Sequence, residues 1–463
     1  NITMNYFSTR NSRLDKTFDQ IIIEGLSVDG GLFMPKSWPK INLNNLIQNK
    51  GLTYPDLASI ILINFVGETI SKSELDKISK ESFKNFSHKE IAPLIEISKG
   101  KYILELFHGP TYAFKDYPLQ IVGNLFQYFL AKNNKKITVI GATSGDTGSA
   151  AIEACKDKEN IKVFILHPFE KTSEIQRKQM TTVESNNVHN IAINGTFDDC
   201  QKIVKDLFVS EDINKITSLS AINSINWARI ISQTVYFYWA FLQSKDFNSK
   251  INFIVPTGNF GNVYAAHVAG ITGLPIRKLY VSTNENDIMH RTLKYGDMSL
   301  KKVKSTISPS MDIQISSNFE RQLFESLNFD SDKLKDLMTE FYKNKKYIIK
   351  DKLLKNLKDI YESESFKDEE IIKTIQYFYE KYNYISDPHT ATSLNTLQKI
   401  DNKDINVSLA CAHPAKFPDS IIKAINVDVK RPEKLNKILN MKEKYIKLDN
   451  NIESVKSFII ENL

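Results

Sequence analysis

One lysine of this chain stands between an aromatic residue and an acid, shortly after a Gly-Pro turn. Residues 106–116 read LFHGPTYAFKD, so this lysine is Lys115. A lysine amine forms a Schiff base with a carbonyl compound when burial lowers its pKa. Lys115 could therefore carry covalent chemistry, although a lysine beside a turn is more often an exposed surface residue.

Two loops, each between a predicted strand and a predicted helix, could hold anions. Residues 141–148 read GATSGDTG and residues 256–262 read PTGNFGN. Such loops offer backbone amides at a helix N-terminus, where the helix dipole favours negative charge. Neither loop fits the Walker or the dinucleotide-binding pattern. Each could equally be an ordinary tight turn, the first one capped by Asp146 or Thr147.

The lysine segment and the two loops together fit one cofactor better than any of them does alone. Pyridoxal phosphate has an aldehyde at one end and a phosphate at the other, so its enzymes need a Schiff-base lysine and a phosphate cradle. The second anion-binding loop would then hold the carboxylate of an amino acid. We therefore expect pyridoxal 5'-phosphate as the cofactor.

Seven strings of residues occur in this chain in the order of a known family. They are MNYFSTR (4–10), GLSVDGGLF (25–33), FHGPTYAFKD (107–116), ATSGDTG (142–148), NSINWAR (223–229), GNFGN (258–262) and HPAKF (413–417). The chain resembles the threonine synthase family, in the branch found in fungi and many bacteria. The resemblance implies a two-lobed α/β fold of the tryptophan synthase β type (fold type II). An extra N-terminal domain and a helical insertion complete it.

The resemblance also implies a role for each matching residue. Lys115 would carry the cofactor and then move protons. The cofactor phosphate would be held by Gly258, Asn259, Phe260, Gly261 and Asn262. The substrate carboxylate would be held by Thr143, Ser144, Asp146 and Thr147. In this loop Asp146 occupies the place beside the ring oxygen of the cofactor, where many relatives have Asn.

The phosphate of the substrate would be bound by cations and amides elsewhere in the chain. Asn226 and Arg229 are our candidates for this role, with Lys171 as a weaker one. An arginine suits phosphate because its fork of N–H groups matches two phosphate oxygens. Arg229 could equally be an exposed residue on a helix surface.

One motif departs from the family pattern. The family usually has Ser-Thr-Ala before His413, and its threonine contacts the pyridine nitrogen, whereas this chain has Ala410-Cys411-Ala412. A thiol is a weak hydrogen-bond donor and acceptor, so we expect altered electronics of the cofactor ring with the chemistry retained. Cys411 could also be a small buried hydrophobic residue. For His108 and His413 we expect structural roles, because neither has a second ligand at metal spacing.

The resemblance implies a reaction: O-phospho-L-homoserine and water would become L-threonine and phosphate. The enzyme would be a carbon-oxygen lyase acting on a phosphate ester. Two alternatives remain open. A related phospho-lyase acting on O-phosphothreonine would share the cofactor motifs, and a catalytically silent relative would only bind amino acids. The intact Lys115 disfavours the silent relative.

The elements around these motifs alternate between strands and helices. Strands are predicted at 137–140, 161–166, 188–193 and 251–255, with helices at 149–156 and 197–208. This alternation is typical of parallel βαβ units. By sequence the chain divides into an N-terminal domain (4–95), a cofactor-binding core (96–295), a mainly helical insertion (296–385) and a C-terminal part that returns to the core (386–463).

The composition excludes several other classes of protein. The chain has 463 residues, 41% hydrophobic and 25% charged, with a formal net charge of +7. Lysines alternate with acids, which indicates a solvated surface and no nucleic-acid partner, while a small anionic substrate stays compatible. No apolar run is long enough to cross a bilayer and no secretory signal is evident. Three scattered cysteines without a CxxC pair predict no metal site and a reducing compartment, the cytoplasm. Monomer and homodimer both remain open.

Overall fold

The computed structural model describes residues 4–143 and 145–463, which form two compact units. Of the described residues, the first unit takes in residues 4–22, Leu26–Phe114 and Ser224–Val429. The second unit takes in Ile23–Gly25, Lys115–Asn223 and Lys430–Leu463. Each compact unit thus consists of three segments that are separate from one another along the chain. The four-part division by sequence stays a prediction.

The strands within the described residues are numbered in chain order. They are β1 (Tyr6–Ser8), β2 (Asn11–Lys16), β3 (Phe33–Pro35), β4 (Leu94–Ser98), β5 (Lys101–Glu105), β6 (Ile137–Ala142), β7 (Ile161–Pro168), β8 (Val188–Asn194), β9 (Leu219–Ser220), β10 (Ile251–Pro256), β11 (Ile276–Thr283), β12 (Asp297–Ser299), β13 (Lys346–Ile348), β14 (Tyr361–Ser365), β15 (Ile405–Ala410) and β16 (Ile446–Asp449).

The α-helices of the same residues are numbered in the same way. They are α1 (Phe18–Glu24), α2 (Leu43–Gln48), α3 (Tyr54–Leu62), α4 (Lys72–Phe83), α5 (Asp116–Lys132), α6 (Asp146–Cys155), α7 (Glu174–Thr181), α8 (Phe197–Phe208), α9 (Glu211–Asn214), α10 (Trp227–Ser244), α11 (Gly261–Thr272), α12 (Ile288–Tyr295), α13 (Phe319–Ser326), α14 (Ser331–Asn344), α15 (Asp351–Ile360), α16 (Asp368–Tyr382), α17 (Pro388–Lys399), α18 (Pro418–Ile425), α19 (Glu433–Leu439) and α20 (Ile452–Glu461). Short 3-10 helices occupy Pro309–Met311 and Pro414–Lys416.

The first unit is built on a six-stranded sheet with the order β14-β11-β10-β15-β5-β4. Its strands run parallel except β4, which is antiparallel to β5. Every residue of β10 and β15 is buried, as expected for central strands of a parallel sheet covered on both faces. Because β10 and β15 are parallel neighbours, the loops that follow them start at the same edge of the sheet.

The second unit is built on a five-stranded parallel sheet with the order β16-β8-β7-β6-β9. Apolar residues of β6, β7 and β8 pack with residues of α8 and α20 in one buried cluster. Helix α8 has the bounds predicted from its sequence, because a capping box of Thr196 and Asp199 marks its start. The predicted strands at 137–140, 161–166 and 188–193 are confirmed as β6, β7 and β8.

The N-terminal segment and the segment 296–385 add smaller elements to the first unit. The former contributes the three-stranded antiparallel sheet β2-β1-β3. The latter contains α13 to α16, and it also supplies β14, which pairs in parallel with β11 at the sheet edge. Strand β14 reads YESES, so its polar residues give no apolar strand pattern in the sequence.

Neither a membrane span nor a metal-binding cluster occurs among residues 4–143 and 145–463. None of their helices combines the length and the hydropathy that crossing a bilayer requires. None of their histidines, cysteines and acids form a group of three placed to hold a metal ion.

Candidate functional site

The segment just before Lys115 is held against the end of β15 by backbone hydrogen bonds. The Phe114 N–H donates to the Cys411 carbonyl over 2.7 Å, and the His413 N–H donates to the Tyr112 carbonyl over 3.0 Å. Ala113 and Ala412 form an antiparallel bridge between these contacts. The backbone that leads into Lys115 is therefore tied to the motif that contains Cys411.

A buried lysine, Lys416, stabilises the turn in front of this segment. Its ammonium group donates to the Thr111 carbonyl over 2.9 Å, and the residue is only 2% exposed. The neighbouring Tyr112 has a φ of 59°, a left-handed conformation that is uncommon for a residue with a side chain. The ammonium group thus anchors the chain where its backbone is strained.

Lys115 is half-buried, in contrast to the exposed surface lysine of the alternative interpretation. It is the N-cap residue of α5 and already has helical backbone angles. The following Asp116 is fully buried. A partly buried amine at the start of a helix is suited to chemistry on a ligand.

The loop after β10 presents backbone amides at the start of α11. Phe260 is the N-cap residue, with a φ of 66°, and no side chain caps the helix. The first amides of an α-helix have no partner within the helix. The loop is fixed from outside, because the Ser316 hydroxyl donates to the Gly258 carbonyl over 2.6 Å and the Asn318 N–H donates to the Asn259 carbonyl over 3.0 Å.

Two close approaches explain why this loop contains glycines. A Cβ atom on Gly258 would lie 3.1 Å from the Ser310 carbonyl oxygen, and one on Gly261 would lie 3.1 Å from Asn318 Nδ2. Both contacts are tighter than side chains normally tolerate. The glycines thus allow the loop to lie close to residues 310–318.

Asn262, the second residue of α11, has one satisfied and one unsatisfied end. Its Oδ1 accepts a hydrogen bond from the Tyr236 hydroxyl. Its Nδ2 is buried and has no partner among the described residues. A buried N–H group without a partner costs roughly 1–3 kcal/mol, so this position is prepared for an acceptor that the protein itself does not supply.

Cys411 follows the end of β15 and is buried. Its N–H donates to the Thr390 hydroxyl over 3.0 Å, and that hydroxyl donates to the carboxylate of Asp387. Asp387 also caps α17, accepting from the His389 N–H over 2.9 Å. A buried polar network therefore fixes the backbone of Cys411.

In the second unit, Thr143 organises the loop between β6 and α6. Its Oγ1 accepts from the Gly145 N–H over 3.1 Å and from the Gly148 N–H over 3.0 Å. The helix therefore begins at Asp146, three residues before the predicted start, and neither Asp146 nor Thr147 caps it as the structural alternative required. Ser144 lies outside the described residues.

The other two candidate residues of this loop differ in burial. Asp146 is buried, and its Oδ1 accepts from Gln176 Nε2 over 3.2 Å. Thr147 is half-buried. Gln176 belongs to α7, which follows the loop containing the exposed Lys171.

Asn226 and Arg229 lie at the start of α10 and differ in whether their side chains have hydrogen-bond partners. Both polar atoms of the Asn226 side chain have partners within the protein. Its Oδ1 accepts from the Ala228 N–H and its Nδ2 donates to the Ile22 carbonyl, each over 3.0 Å. Arg229 is 3% exposed, so it is not the helix-surface residue of the alternative interpretation. Its Nε has no partner among the described residues, and burial lowers its pKa to about 10.

His413 has the structural role predicted for it. Its Nδ1 accepts from the Ala415 N–H over 3.0 Å at the start of a 3-10 helix. Burial lowers the pKa of His413 to about 4, so the ring is neutral near pH 7. His108 instead places its Nε2 3.1 Å from a carboxylate oxygen of Glu105.

Comparison with known sequences covers nearly all of this chain. Residues 5–83 match the family model of the threonine synthase N terminus, residues 92–351 that of pyridoxal-phosphate dependent enzymes, and residues 390–459 that of the threonine synthase C-terminal region. A threonine synthase from Pseudomonas aeruginosa is 39% identical over 99% of this chain and 98% of its own length. The chain belongs to the threonine synthase family.

Two solved structures of threonine synthases have the same fold. A pyridoxal-phosphate-bound threonine synthase from Brucella melitensis superposes with a TM-score of 0.97 at 38% identity, covering 99% of each chain. The yeast threonine synthase superposes with a TM-score of 0.95 at 40% identity, covering 100% of this chain and 99% of its own. The α/β fold type II and pyridoxal phosphate as the cofactor are thereby confirmed.

The residues present fit the cofactor of the threonine synthase family. The loop at 258–262 offers unpaired amides at a helix start, and Asn262 adds a buried N–H group without a partner. Such donors suit the phosphate of pyridoxal phosphate. The first unit holds this loop together with Cys411, Asn226 and Arg229, whereas the second unit holds Lys115, Lys171 and the loop at 143–147.

Three residues that support the candidate site are not among the predicted site residues. Tyr236 and Gln233 of α10 hydrogen-bond toward Asn262, and Lys416 anchors the turn before Lys115. Helix α10 is buried almost all round, so its polar positions follow no amphipathic pattern. For Gln233 and Tyr236 the signal in the sequence is their spacing from Arg229 by four and then three residues, which places them on one helix face. For Lys416 it is the position within the motif HPAKF.

Proposed function

We propose that the protein converts O-phospho-L-homoserine and water into L-threonine and inorganic phosphate. It would thus act as a carbon-oxygen lyase on a phosphate ester. The observation that carries the proposal is the binding of the segment before Lys115 to the segment of Cys411. This pairing joins two of the motifs by which the chain resembles threonine synthases along its whole length.

Lys115 is the proposed catalytic residue. Bound pyridoxal phosphate supplies an electron sink for the charge that develops at the substrate's Cα. The amine of Lys115 would hold the cofactor at rest and, once displaced by the substrate, take the proton from Cα. The same amine could move protons at Cβ and Cγ, since one mobile base can serve several positions within hydrogen-bond reach.

The loop at 258–262 is the proposed binding site for the cofactor phosphate. Backbone amides of Gly258, Asn259, Phe260, Gly261 and Asn262 would donate to its oxygens. The helix dipole of α11 would favour its charge. Cys411 is the proposed neighbour of the pyridine nitrogen, and a neutral thiol there would leave that nitrogen less protonated than a carboxylate would.

The loop at 143–147 is the proposed site for the substrate carboxylate. Thr143, Ser144 and Thr147 would orient it through hydroxyls and amides at the start of α6. Asp146 would lie beside the ring oxygen of the cofactor. Two anionic oxygens in contact repel each other, so Asp146 and the ring oxygen would share one proton there.

Arg229 is the proposed partner of the substrate phosphate. Its support is a buried guanidinium whose Nε is unsatisfied and which forms no salt bridge within residues 4–143 and 145–463. Asn226 would contribute indirectly, because both polar ends of its side chain already position the start of α10. Lys171 would add positive charge from an exposed loop.

A product assay tests the proposal. Purified protein with pyridoxal phosphate should release threonine and phosphate in equal amounts from O-phospho-L-homoserine, and Lys115→Ala should abolish both. Lys101→Ala is the control, because Lys101 also lies at a half-buried site and donates only to the Gln398 carbonyl. Full activity of Lys115→Ala would overturn the role of Lys115.

The alternatives predict different products. A phospho-lyase would release a 2-oxo acid and ammonia from O-phosphothreonine, and no threonine from O-phospho-L-homoserine. A silent relative would release neither product while still binding an amino acid. Each of these outcomes would overturn the proposed function.

We propose that the protein works in the cytoplasm as a monomer or a homodimer, on a small-molecule substrate. The three cysteines are all buried and none of them forms a disulfide, which supports a reducing compartment. Fractionation of cells and light scattering of the purified protein would check these two points.

A further inference from the structure

Helix α10 packs against α11 and carries a row of polar residues along one of its faces. Arg229, Gln233 and Tyr236 are spaced by four and three residues, so they share that face. Most of the other residues of α10 are apolar, and both Gln233 and Tyr236 are buried. Buried polar side chains on an apolar helix need a specific hydrogen-bonding purpose.

The hydrogen bonds of Gln233, Tyr236 and Asn262 run in one direction. Gln233 Nε2 donates to the Tyr236 hydroxyl oxygen over 3.2 Å, and the hydroxyl donates to Oδ1 of Asn262. A tyrosine hydroxyl has a single proton to donate. Because that proton goes to Oδ1, the NH2 group of Asn262 is the end that is left for another acceptor.

The other end of Asn262 lies at the proposed phosphate loop. Nδ2 is buried and has no partner among the described residues. Asn262 directly follows Gly261, where α11 begins with unpaired amides and without a side-chain cap. An additional N–H donor at this place matches an anionic oxygen, and a carbonyl end would repel one.

We propose that Tyr236 is a positioning residue for the cofactor phosphate, which it serves by holding the carboxamide of Asn262 with the NH2 group toward the phosphate. This inference rests on the proposed function, because it takes the loop at 258–262 as the cofactor-phosphate site. Tyr236 itself does not touch the phosphate. It removes the freedom of Asn262 to turn its carbonyl oxygen toward an anion.

Replacing the hydroxyl tests this role. Tyr236→Phe keeps the ring and removes the donor, so the dissociation constant of pyridoxal phosphate should rise about ten-fold, the loss expected for one buried hydrogen bond. The 31P resonance of the bound cofactor should shift as well. The readout is equilibrium dialysis of the full chain with pyridoxal phosphate, combined with 31P spectroscopy.

Tyr238→Phe is the matched control. Tyr238 is also buried on α10 and also contacts α11. Its contact lies at the C-terminal end of α11, where its hydroxyl lies 2.7 Å from Thr272 Oγ1. Tyr238→Phe should lower the thermal stability of the cofactor-free protein about as much as Tyr236→Phe does. It should leave the dissociation constant and the 31P resonance unchanged.

Variants of Asn262 show whether Tyr236 acts through it. Asn262→Ala should weaken cofactor binding about ten-fold or more, and adding Tyr236→Phe should weaken it no further. Asn262→Asp still accepts from Tyr236 but replaces the NH2 group by an oxygen, so it should bind the cofactor more weakly than Asn262→Ala.

Three results would overturn the inference. These are unchanged cofactor affinity in Tyr236→Phe, equal losses in Tyr236→Phe and Tyr238→Phe, and binding by Asn262→Asp as tight as that of the natural protein. A protein that binds the cofactor with the expected pattern of variants but makes no threonine would overturn the proposed function alone.

Discussion

Phe114 donates its backbone N–H to the carbonyl oxygen of Cys411 over 2.7 Å. Phe114 directly precedes Lys115, and Cys411 is the proposed neighbour of the cofactor's ring nitrogen. The cofactor is rigid, so its aldehyde and its ring nitrogen are a constant distance apart. In the proposed function the two segments serve these two ends of the cofactor, and the hydrogen bond fixes the relation between their backbones.

Removing the Lys416 ammonium should loosen this relation. We expect Lys416→Met to lower the free energy of unfolding by about 1.5–3 kcal/mol, because a buried charged hydrogen bond to the Thr111 carbonyl is lost. Cofactor binding should weaken at the same time. Urea unfolding and dialysis measure the two effects. Lys101→Met, which loses a bond to the Gln398 carbonyl, should leave cofactor binding intact, and a similar loss there would argue against the proposed coupling.

Replacing Arg229 should affect substrate binding rather than cofactor binding. We expect Arg229→Met to raise KM for O-phospho-L-homoserine about 100-fold, since charge-assisted hydrogen bonds to a phosphate are lost. The ligand-free protein should become more stable, because burial already disfavours the charged guanidinium. Steady-state kinetics and thermal unfolding measure both.

The control for Arg229 is another buried arginine with satisfied donors. Arg321 donates to the carbonyls of Phe33 and Ile225, so Arg321→Met should lower stability. An unchanged KM in Arg229→Met would remove Arg229 from the substrate site.

Cys411 should report on the pyridine nitrogen. We expect Cys411→Thr to shift the 15N resonance of that nitrogen in labelled cofactor, because a hydroxyl hydrogen-bonds more strongly than a thiol. Threonine formation should stay within about ten-fold of the natural protein, a change of about 1.4 kcal/mol. Cys155→Ala, at a buried thiol of the second unit, is the control. Identical 15N resonances in Cys411→Thr and Cys411→Ala would show that position 411 does not contact the nitrogen.

His413 should make stability depend on pH below neutrality. Its folded pKa of about 4 lies below the unfolded value of 6.5, so between these values the unfolded chain binds more protons. The contribution of His413 to the free energy of unfolding is therefore fully present above about pH 6.5. It is lost as the pH falls toward 4, and the loss is roughly 3 kcal/mol at most. Urea unfolding from pH 7 to 4.5 measures the slope.

The matched variant for this slope is His413→Asn, which retains an acceptor for the Ala415 N–H. We expect His413→Asn to reduce the pH dependence of the free energy of unfolding only in part. His167 also has its pKa lowered to about 4 by burial, so it contributes to the slope in the same direction. A slope that is unchanged in His413→Asn would contradict the prediction.

Much of the architecture follows from local patterns in the sequence. Helix α8 has its predicted bounds because a capping box and an apolar stripe both lie within residues 196–208. The strands β6, β7, β8 and β10 were predictable because continuous apolar runs signal buried parallel strands. The cofactor class followed from Lys115 and two loops, since an aldehyde and a phosphate need particular residue types close to a turn or a helix start.

What required the tertiary structure was the environment of single side chains. Burial of Arg229, full occupation of Asn226 and the orientation of Asn262 all depend on residues far away along the chain, such as Ile22 and Tyr236. A pattern of neighbouring residues reports periodicity and capping, because these depend on a few consecutive dihedral angles. Hydrogen bonds between distant segments are decided by the packing of whole elements. That is why the sequence alone determined which residues could do the chemistry, while their partners emerged only from the folded chain.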